Sequence, residues 1–204
     1  CLTMRSDQDF LIDKAIQNVI SDTAFINGED VKQFSNELSN YLNVRCVIPC
    51  GNGTDAIFAA LMALNLNPGD EVIVPSFTFV APVEMIKLAG LVPVFADCKK
   101  DHFTIDPNDI RKKITSRTRV ILPVHLYGQC ADMHEIITIA LEHDLRIIED
   151  TAQAIGTGYK MEEQIIKAGT IGDIGTTSFF PSKNLSCFGD GGAIFTNNDQ
   201  LASK

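Results

Sequence analysis

Short apolar runs alternate with amphipathic stretches along most of this chain. Arg45-Cys46-Val47-Ile48-Pro49-Cys50, Glu71-Val72-Ile73-Val74-Pro75, Val92-Pro93-Val94-Phe95-Ala96, Thr118-Arg119-Val120-Ile121-Leu122 and Leu145-Arg146-Ile147-Ile148-Glu149 each read as a strand. The segments between them read as helices: about Glu29 to Leu42, from the Gly51-Asn52-Gly53-Thr54 turn through Leu64, and near 80–89, 107–113 and 132–144. Such continuous apolar runs separated by helices predict buried parallel strands in an α/β sheet. The rhythm changes late in the chain. Gly175-Thr176-Thr177-Ser178-Phe179 and Gly192-Ala193-Ile194-Phe195-Thr196 follow one another without a helix between them, which predicts a hairpin-like pair in an otherwise parallel sheet. No low-complexity linker or internal repeat interrupts the chain, so it reads as one continuous domain.

Composition narrows the function. With 204 residues, 45% hydrophobic and 21% charged, the chain has ample material for a core. Its net charge of −9 argues against nucleic acid or an anionic membrane as the main partner. No apolar run approaches a membrane span, and the start, Cys1-Leu2-Thr3-Met4-Arg5, has no signal-peptide pattern. The initial Cys and the end at Lys204 are expected of a fragment of a longer chain. The six cysteines (Cys1, Cys46, Cys50, Cys98, Cys130, Cys187) have no CxxC spacing and sit mostly in apolar surroundings. They are expected to be reduced, buried and inert, which favours the cytoplasm. The four histidines are dispersed, and no metal-ligand spacing links them to the cysteines.

Chemistry-bearing residues fall at the expected strand ends, where open α/β sheets bind ligands. Gly51-Asn52-Gly53-Thr54-Asp55-Ala56 can bring backbone amides and a helix N-terminus to an anion, with Asp55 able to cap the helix; a simple capped turn is the other reading. In Pro75-Ser76-Phe77-Thr78-Phe79 one of the two aromatics can face a planar ring, with core packing expected of Phe77. Ile147-Ile148-Glu149-Asp150-Thr151-Ala152-Gln153 delivers adjacent carboxylates, of which alternation admits only one to a site. That carboxylate can pair with a protonated pyridine nitrogen or cap the next helix. Lys183, in Ser178-Phe179-Phe180-Pro181-Ser182-Lys183-Asn184, is either a solvated loop lysine or an amine held for covalent chemistry on a carbonyl cofactor.

Taken together and in this order, the motifs resemble the DegT/DnrJ/EryC1/StrS family of nucleotide-sugar aminotransferases, within the fold-type-I pyridoxal-phosphate enzymes. The resemblance runs from about Thr23 to Asn197 and includes Asn52-Gly53-Thr54-Asp55-Ala56, Pro68-Gly69-Asp70-Glu71-Val72-Ile73, Pro123-Val124-His125-Leu126-Tyr127-Gly128 and Glu149-Asp150-Thr151-Ala152-Gln153, besides the Phe77–Phe79 and Lys183 segments. It implies a three-layer α/β sandwich with a mostly parallel mixed sheet, the large domain of such enzymes, over residues 29–204. It further implies that an N-terminal segment, 1–28, contributes to the active-site edge and that a C-terminal small domain is expected to be missing from this chain. It implies pyridoxal 5'-phosphate as cofactor, bonded to Lys183. By the same resemblance Asp150 is expected to face the ring nitrogen, Gln153 the ring hydroxyl, and Phe79 to stack on the ring. Gly53, Thr54, Asp55 (through its backbone) and Ser178 are expected to hold the phosphate, while Asn184 lies where the family often serves the partner subunit's site. Ala24-Phe25-Ile26-Asn27-Gly28-Glu29 resembles a substrate-side loop, with Glu29 where a proline is common.

The implied activity is transfer of an amino group from an amino acid, glutamate by expectation, to a nucleotide-linked ketosugar for surface polysaccharide. The Ser178–Asn197 stretch leans toward UDP-linked 3- or 4-keto sugars, and the family implies a homodimer. A lyase or sugar dehydratase of the same fold is the nearest alternative. The related dehydratases carry histidine where this chain has Lys183, which favours transamination. A catalytically silent fragment kept for association is a different class. Without the small domain, this chain alone is expected to be inactive.

Overall fold

The computed structural model describes residues 7–204, so Cys1 and the opening residues lie outside it. The chain divides into two compact units between Glu37 and Leu38. The first holds α1 (Asp7–Ser21), which the sequence reading passed over, and most of α2 (Glu29–Leu42). Glu29 and Asp30 sit in the first turn of α2, where carboxylates favour the positive end of the helix dipole. Among the described residues no helix is long and apolar enough to cross a membrane.

The second unit is built on strands β1 (Cys46–Cys50), β2 (Glu71–Pro75), β3 (Val92–Ala96), β4 (Thr118–Ile121), β5 (Arg146–Asp150), β8 (Ile174–Ser178) and β9 (Gly192–Thr196). They form one seven-stranded sheet in the order β1-β9-β8-β5-β4-β2-β3. β9 runs antiparallel to both neighbours, β1 and β8, and the remaining pairs are parallel. The expected β8–β9 pair is therefore present, with Ser178 opposite Gly192. Proline is tolerated where a strand lacks one neighbour. Pro49 and Pro93 indeed lie on β1 and β3, the two edges.

Alternating residues of the inner strands feed two cores. Val72, Val74, Val120 and Ile148 face α3 (Gly53–Ala63) and α4 (Ala81–Leu88), which add Ile57, Leu61 and Ile86. Ile73, Ile121 and Ile147 face the other way, against Ile110 of α5 (Pro107–Lys113) and Met133, Ile136 and Ile139 of α6 (Met133–His143). Helices thus cover both faces of the sheet, the three-layer arrangement the motifs imply. A second, two-stranded sheet, β6 (Gly158–Met161) with β7 (Gln164–Lys167), was not expected. Its turn runs through Glu162 at φ 53, and a glutamate there carries none of the Asn-Gly signal that marks a hairpin. α7 (Asp199–Ala202) closes the chain, capped by the Asn198 side chain.

The cysteines differ from expectation. Cys46, Cys50, Cys98 and Cys130 are half-buried and Cys187 is exposed, all as free thiols. Strands that supply apolar neighbours in sequence do not bury a residue lying on an edge or at a strand end.

Glu71, buried at the start of β2, accepts from Arg117 Nη2 at 2.7 Å and from the hydroxyls of Thr115 and Thr118. These donors, Thr115 first and then Arg117, hold its carboxyl below the ordinary 4.5. A depressed carboxylate contributes stability that is present above its unfolded pKa and lost as pH falls through the folded one. We therefore expect Glu71→Gln to cost about 2 kcal/mol in urea unfolding at about pH 7, with the deficit shrinking below about pH 4. An equal deficit at both pH values would refute the linkage.

Candidate active site

The carboxyl ends of β2, β5 and β8 and the turn after β1 converge on one cavity of about 620 Å³. Four stretches of chain with little local resemblance to each other meet there because the sheet order brings their strands side by side.

The turn after β1 supplies a helix N-terminus. Asn52, not Asp55, caps α3: its side chain accepts the Asp55 amide at 2.8 Å and donates to the Asp55 carboxylate at 2.9 Å. The Ala56 amide bonds Asn52 O. The amides of Gly53 and Thr54 have no partner among the described residues. A Cβ on Gly53 would lie 2.6 Å from Ser178 Cβ, and one on Gly192 would lie 2.5 Å from the Asn52 carbonyl. Only glycine at both positions lets the turn sit down on β8 and β9, which places the Ser178 hydroxyl beside the α3 amides.

The paired carboxylates at the end of β5 separate as strand alternation requires. Glu149 is fully buried and accepts from His125 Nε2 at 2.8 Å and from the amides of Gly169, Ile171 and Gly172. Because the Ala131 amide donates to His125 Nδ1 at 3.0 Å, the ring hydrogen sits on Nε2 and points at Glu149. Asp150 lines the cavity instead. Its Oδ1 accepts the Ala152 amide at 2.9 Å, and no donor among the described residues reaches Oδ2. Burial pushes the Asp150 carboxyl up, opposed by the Ala152 amide and then by nearby His125 and Lys183.

Lys183 stands on the loop between β8 and β9. Its amide closes a turn on Phe180 O at 2.8 Å, while Phe179 and Gly191 join the loop's two ends. Its ammonium lines the cavity with no hydrogen-bond or ion-pair partner among the described residues. Phe79 is 67% exposed and also lines the cavity. Phe77 is not in the core as expected: it is half-exposed and packs on Phe103, ring centroids 5.9 Å apart. A strand end that turns at Ser76 carries the next residues off the sheet, so burial does not extend to them.

Gly53, Thr54, Asp55, Phe79, Asp150, Gln153, Ser178 and Lys183 thus share one cavity. Asn184 does not line it. It lines an adjoining cavity of about 330 Å³ with Tyr127, Gln153, Ser182 and Lys183, and its side chain donates to Ile155 O at 2.9 Å. Among the further cavity residues, the sequence reading assigned no role to Thr78, whose buried hydroxyl has no partner among the described residues, or to Asp190, which reaches the cavity from just before β9. Adjacency to Phe79 and to the Gly191-Gly192 pair was the available signal.

Residues 7–204 match the DegT/DnrJ/EryC1/StrS aminotransferase family. The chain is similar to UDP-2-acetamido-2-deoxy-3-oxo-D-glucuronate aminotransferase of Pseudomonas aeruginosa, at 44% identity over 94% of this chain and 52% of the relative. It is 46% identical to the pleiotropic regulatory protein of Geobacillus stearothermophilus, over 94% of this chain and 50% of that protein. Among solved structures it is similar to NtdA from Bacillus subtilis with bound cofactor PMP, with TM-score 0.89 and 41% identity over 98% of this chain and 44% of that one. The chain spans about half the length of the curated relatives it matches.

Proposed function

Because the chain belongs to the DegT/DnrJ/EryC1/StrS aminotransferase family, we propose that the whole protein carrying it is a pyridoxal-phosphate-dependent nucleotide-sugar aminotransferase. One observation carries this: Lys183 and an oxygen of buried Asp150, both without a hydrogen-bond partner among the described residues, line the same cavity as the open amides of α3.

These residues fit the cofactor by their own chemistry. Two free amides at a helix N-terminus, with the hydroxyls of Thr54 and Ser178, suit a phosphate. The Asp55 amide joins them only by releasing Asn52. A buried carboxylate with an open oxygen suits a cationic ring nitrogen. Phe79 offers an exposed face to a planar ring, and Gln153 an amide to the ring hydroxyl. When bound, pyridoxal phosphate supplies an aldehyde that condenses with amines and a ring that accepts electrons.

Within that frame Lys183 Nζ would hold the cofactor through its aldehyde. As a free amine it would take the proton from the donor's α-carbon and later return a proton to the sugar carbon that receives the nitrogen. Asp150 would act by charge, favouring a proton on the ring nitrogen. The donor is an amino acid, glutamate in our reading, and the acceptor a nucleotide-linked ketosugar destined for surface polysaccharide. The Pseudomonas relative's name supports a UDP-linked 3-keto substrate. We further propose a cytoplasmic homodimer in which Asn184 serves the partner's site.

The test is to incubate the purified full-length protein with pyridoxal phosphate, glutamate and a panel of nucleotide ketosugars. Equal amounts of 2-oxoglutarate and amino sugar are expected. Loss of water from the sugar without nitrogen transfer would point to a dehydratase and overturn the reading.

A further inference from the structure

We infer that Tyr127 is a positioning residue: its left-handed backbone aims an amide at Gln153 and thereby sets which groups of the Gln153 side chain meet the ligand. The inference rests on the cofactor reading above. Tyr127 has φ 55 and ψ 27, and Gly128 follows at φ 83. Glycine adopts that region freely, but an aromatic residue rarely does. Of the described non-glycine residues with positive φ, Tyr127 is the one that lines either cavity touching Gln153.

Strained backbone persists where its surroundings over-determine it. Here both sides of the turn are tied down. The His125 amide donates to Asp150 O at 3.0 Å, and its ring is clamped between the Ala131 amide and Glu149. On the far side Gly128 O accepts from the Thr157 hydroxyl at 3.1 Å, and the Gln129 amide returns to Leu126 O at 3.0 Å. Between these anchors the turn is left-handed, and the Tyr127 amide donates to Gln153 Oε1 at 2.8 Å.

An N–H can only donate, so the atom it meets is the Gln153 oxygen and the amide cannot turn over without losing that bond. Both Nε2 hydrogens remain, with no partner among the described residues, on a side chain that borders both cavities. Gln153 is thereby held as a donor, suited to an anionic ligand oxygen such as a deprotonated ring hydroxyl. A freely turning amide would also present its oxygen there, against another oxygen. The Tyr127 ring, 70% exposed, plays no part in this argument.

The experiment uses the full-length holoprotein and compares Tyr127→Gly and Tyr127→Asn, which tolerate positive φ, with Tyr127→Val and Tyr127→Ile, which do not. The readouts are the pyridoxal-phosphate dissociation constant and the pH midpoint of the bound cofactor's absorbance. Gly and Asn should stay within about twofold of wild type, while Val and Ile bind about tenfold more weakly. A donor favours the anionic form of the oxygen it meets, so losing it should raise the midpoint. Gln153→Ala should give the same shift, and Tyr127→Val added to it should do nothing more. Equal losses in all four Tyr127 variants would assign the effect to the ring and overturn the inference. So would Val and Ile variants that melt earlier while both readouts stay put, or additive effects in the double variant. Wild-type protein that never acquires the cofactor's absorbance would instead overturn the cofactor reading, and this inference with it.

Discussion

In the full-length protein, Lys183→Ala is expected to abolish the proposed amino transfer, lowering the rate by roughly 10⁴-fold or more, as loss of a covalent catalytic group does. The same substitution should leave folding nearly untouched. Lys183 sits part-exposed on a loop, and its ammonium has no hydrogen-bond partner whose loss would register among the described residues. Such positions change stability by less than about 0.5 kcal/mol. The phosphate cradle does not include the lysine, so cofactor should still enter the cavity, but without a covalent bond. Its spectrum should then be that of the free aldehyde, and borohydride should no longer fix it to the protein. A small added primary amine should restore part of the proton transfer at the donor's α-carbon. A variant with wild-type melting, an unchanged spectrum and activity within tenfold of wild type would remove Lys183 from the chemistry.

How far such a site can be read from sequence depends on where its parts are encoded. The strands were legible because a buried strand needs a short continuous apolar run, as in Val72-Ile73-Val74, and a turn signal at each end. Their ends mark the cavity for the same reason. Alternation foretold that only one of Glu149 and Asp150 enters the site, but spacing alone could not say which. The choice is made by His125 and by the amides of Gly169, Ile171 and Gly172, which claim Glu149 from far along the chain. The α3 cap was misread because Asn52 and Asp55 are both good capping residues, and only the backbone shows which one precedes the first turn. α1 was missed although Ile12, Ile16, Val19 and Ile20 have helical spacing. The left-handed Tyr127 has no mark in sequence except the glycine after it.

Asp150→Asn should separate catalysis from stability in the opposite sense to an ordinary core substitution. Asparagine keeps an oxygen for the Ala152 amide and nearly the same volume, but it carries no charge to place against a ring nitrogen. Removing one preorganised charge at a developing charge costs about 10²–10³-fold in rate, and we expect a loss of that size with Lys183 still bonded to the cofactor. In the cofactor-free protein the carboxylate is a liability, because burial pushes its pKa up further than its neighbours pull it down and no donor among the described residues reaches its open oxygen. A group whose folded pKa is raised contributes stability that is full below its unfolded pKa and lost as pH rises through the folded one. The cofactor-free Asn variant should therefore match or exceed wild type in melting temperature near neutral pH and lose that advantage on acidification. Cofactor binding should reverse the order, since a ring cation stabilises the carboxylate and gives the amide less. If Asn melts below wild type in the cofactor-free form and the rate falls less than threefold, then Asp150 supports the fold and the ring nitrogen has another partner.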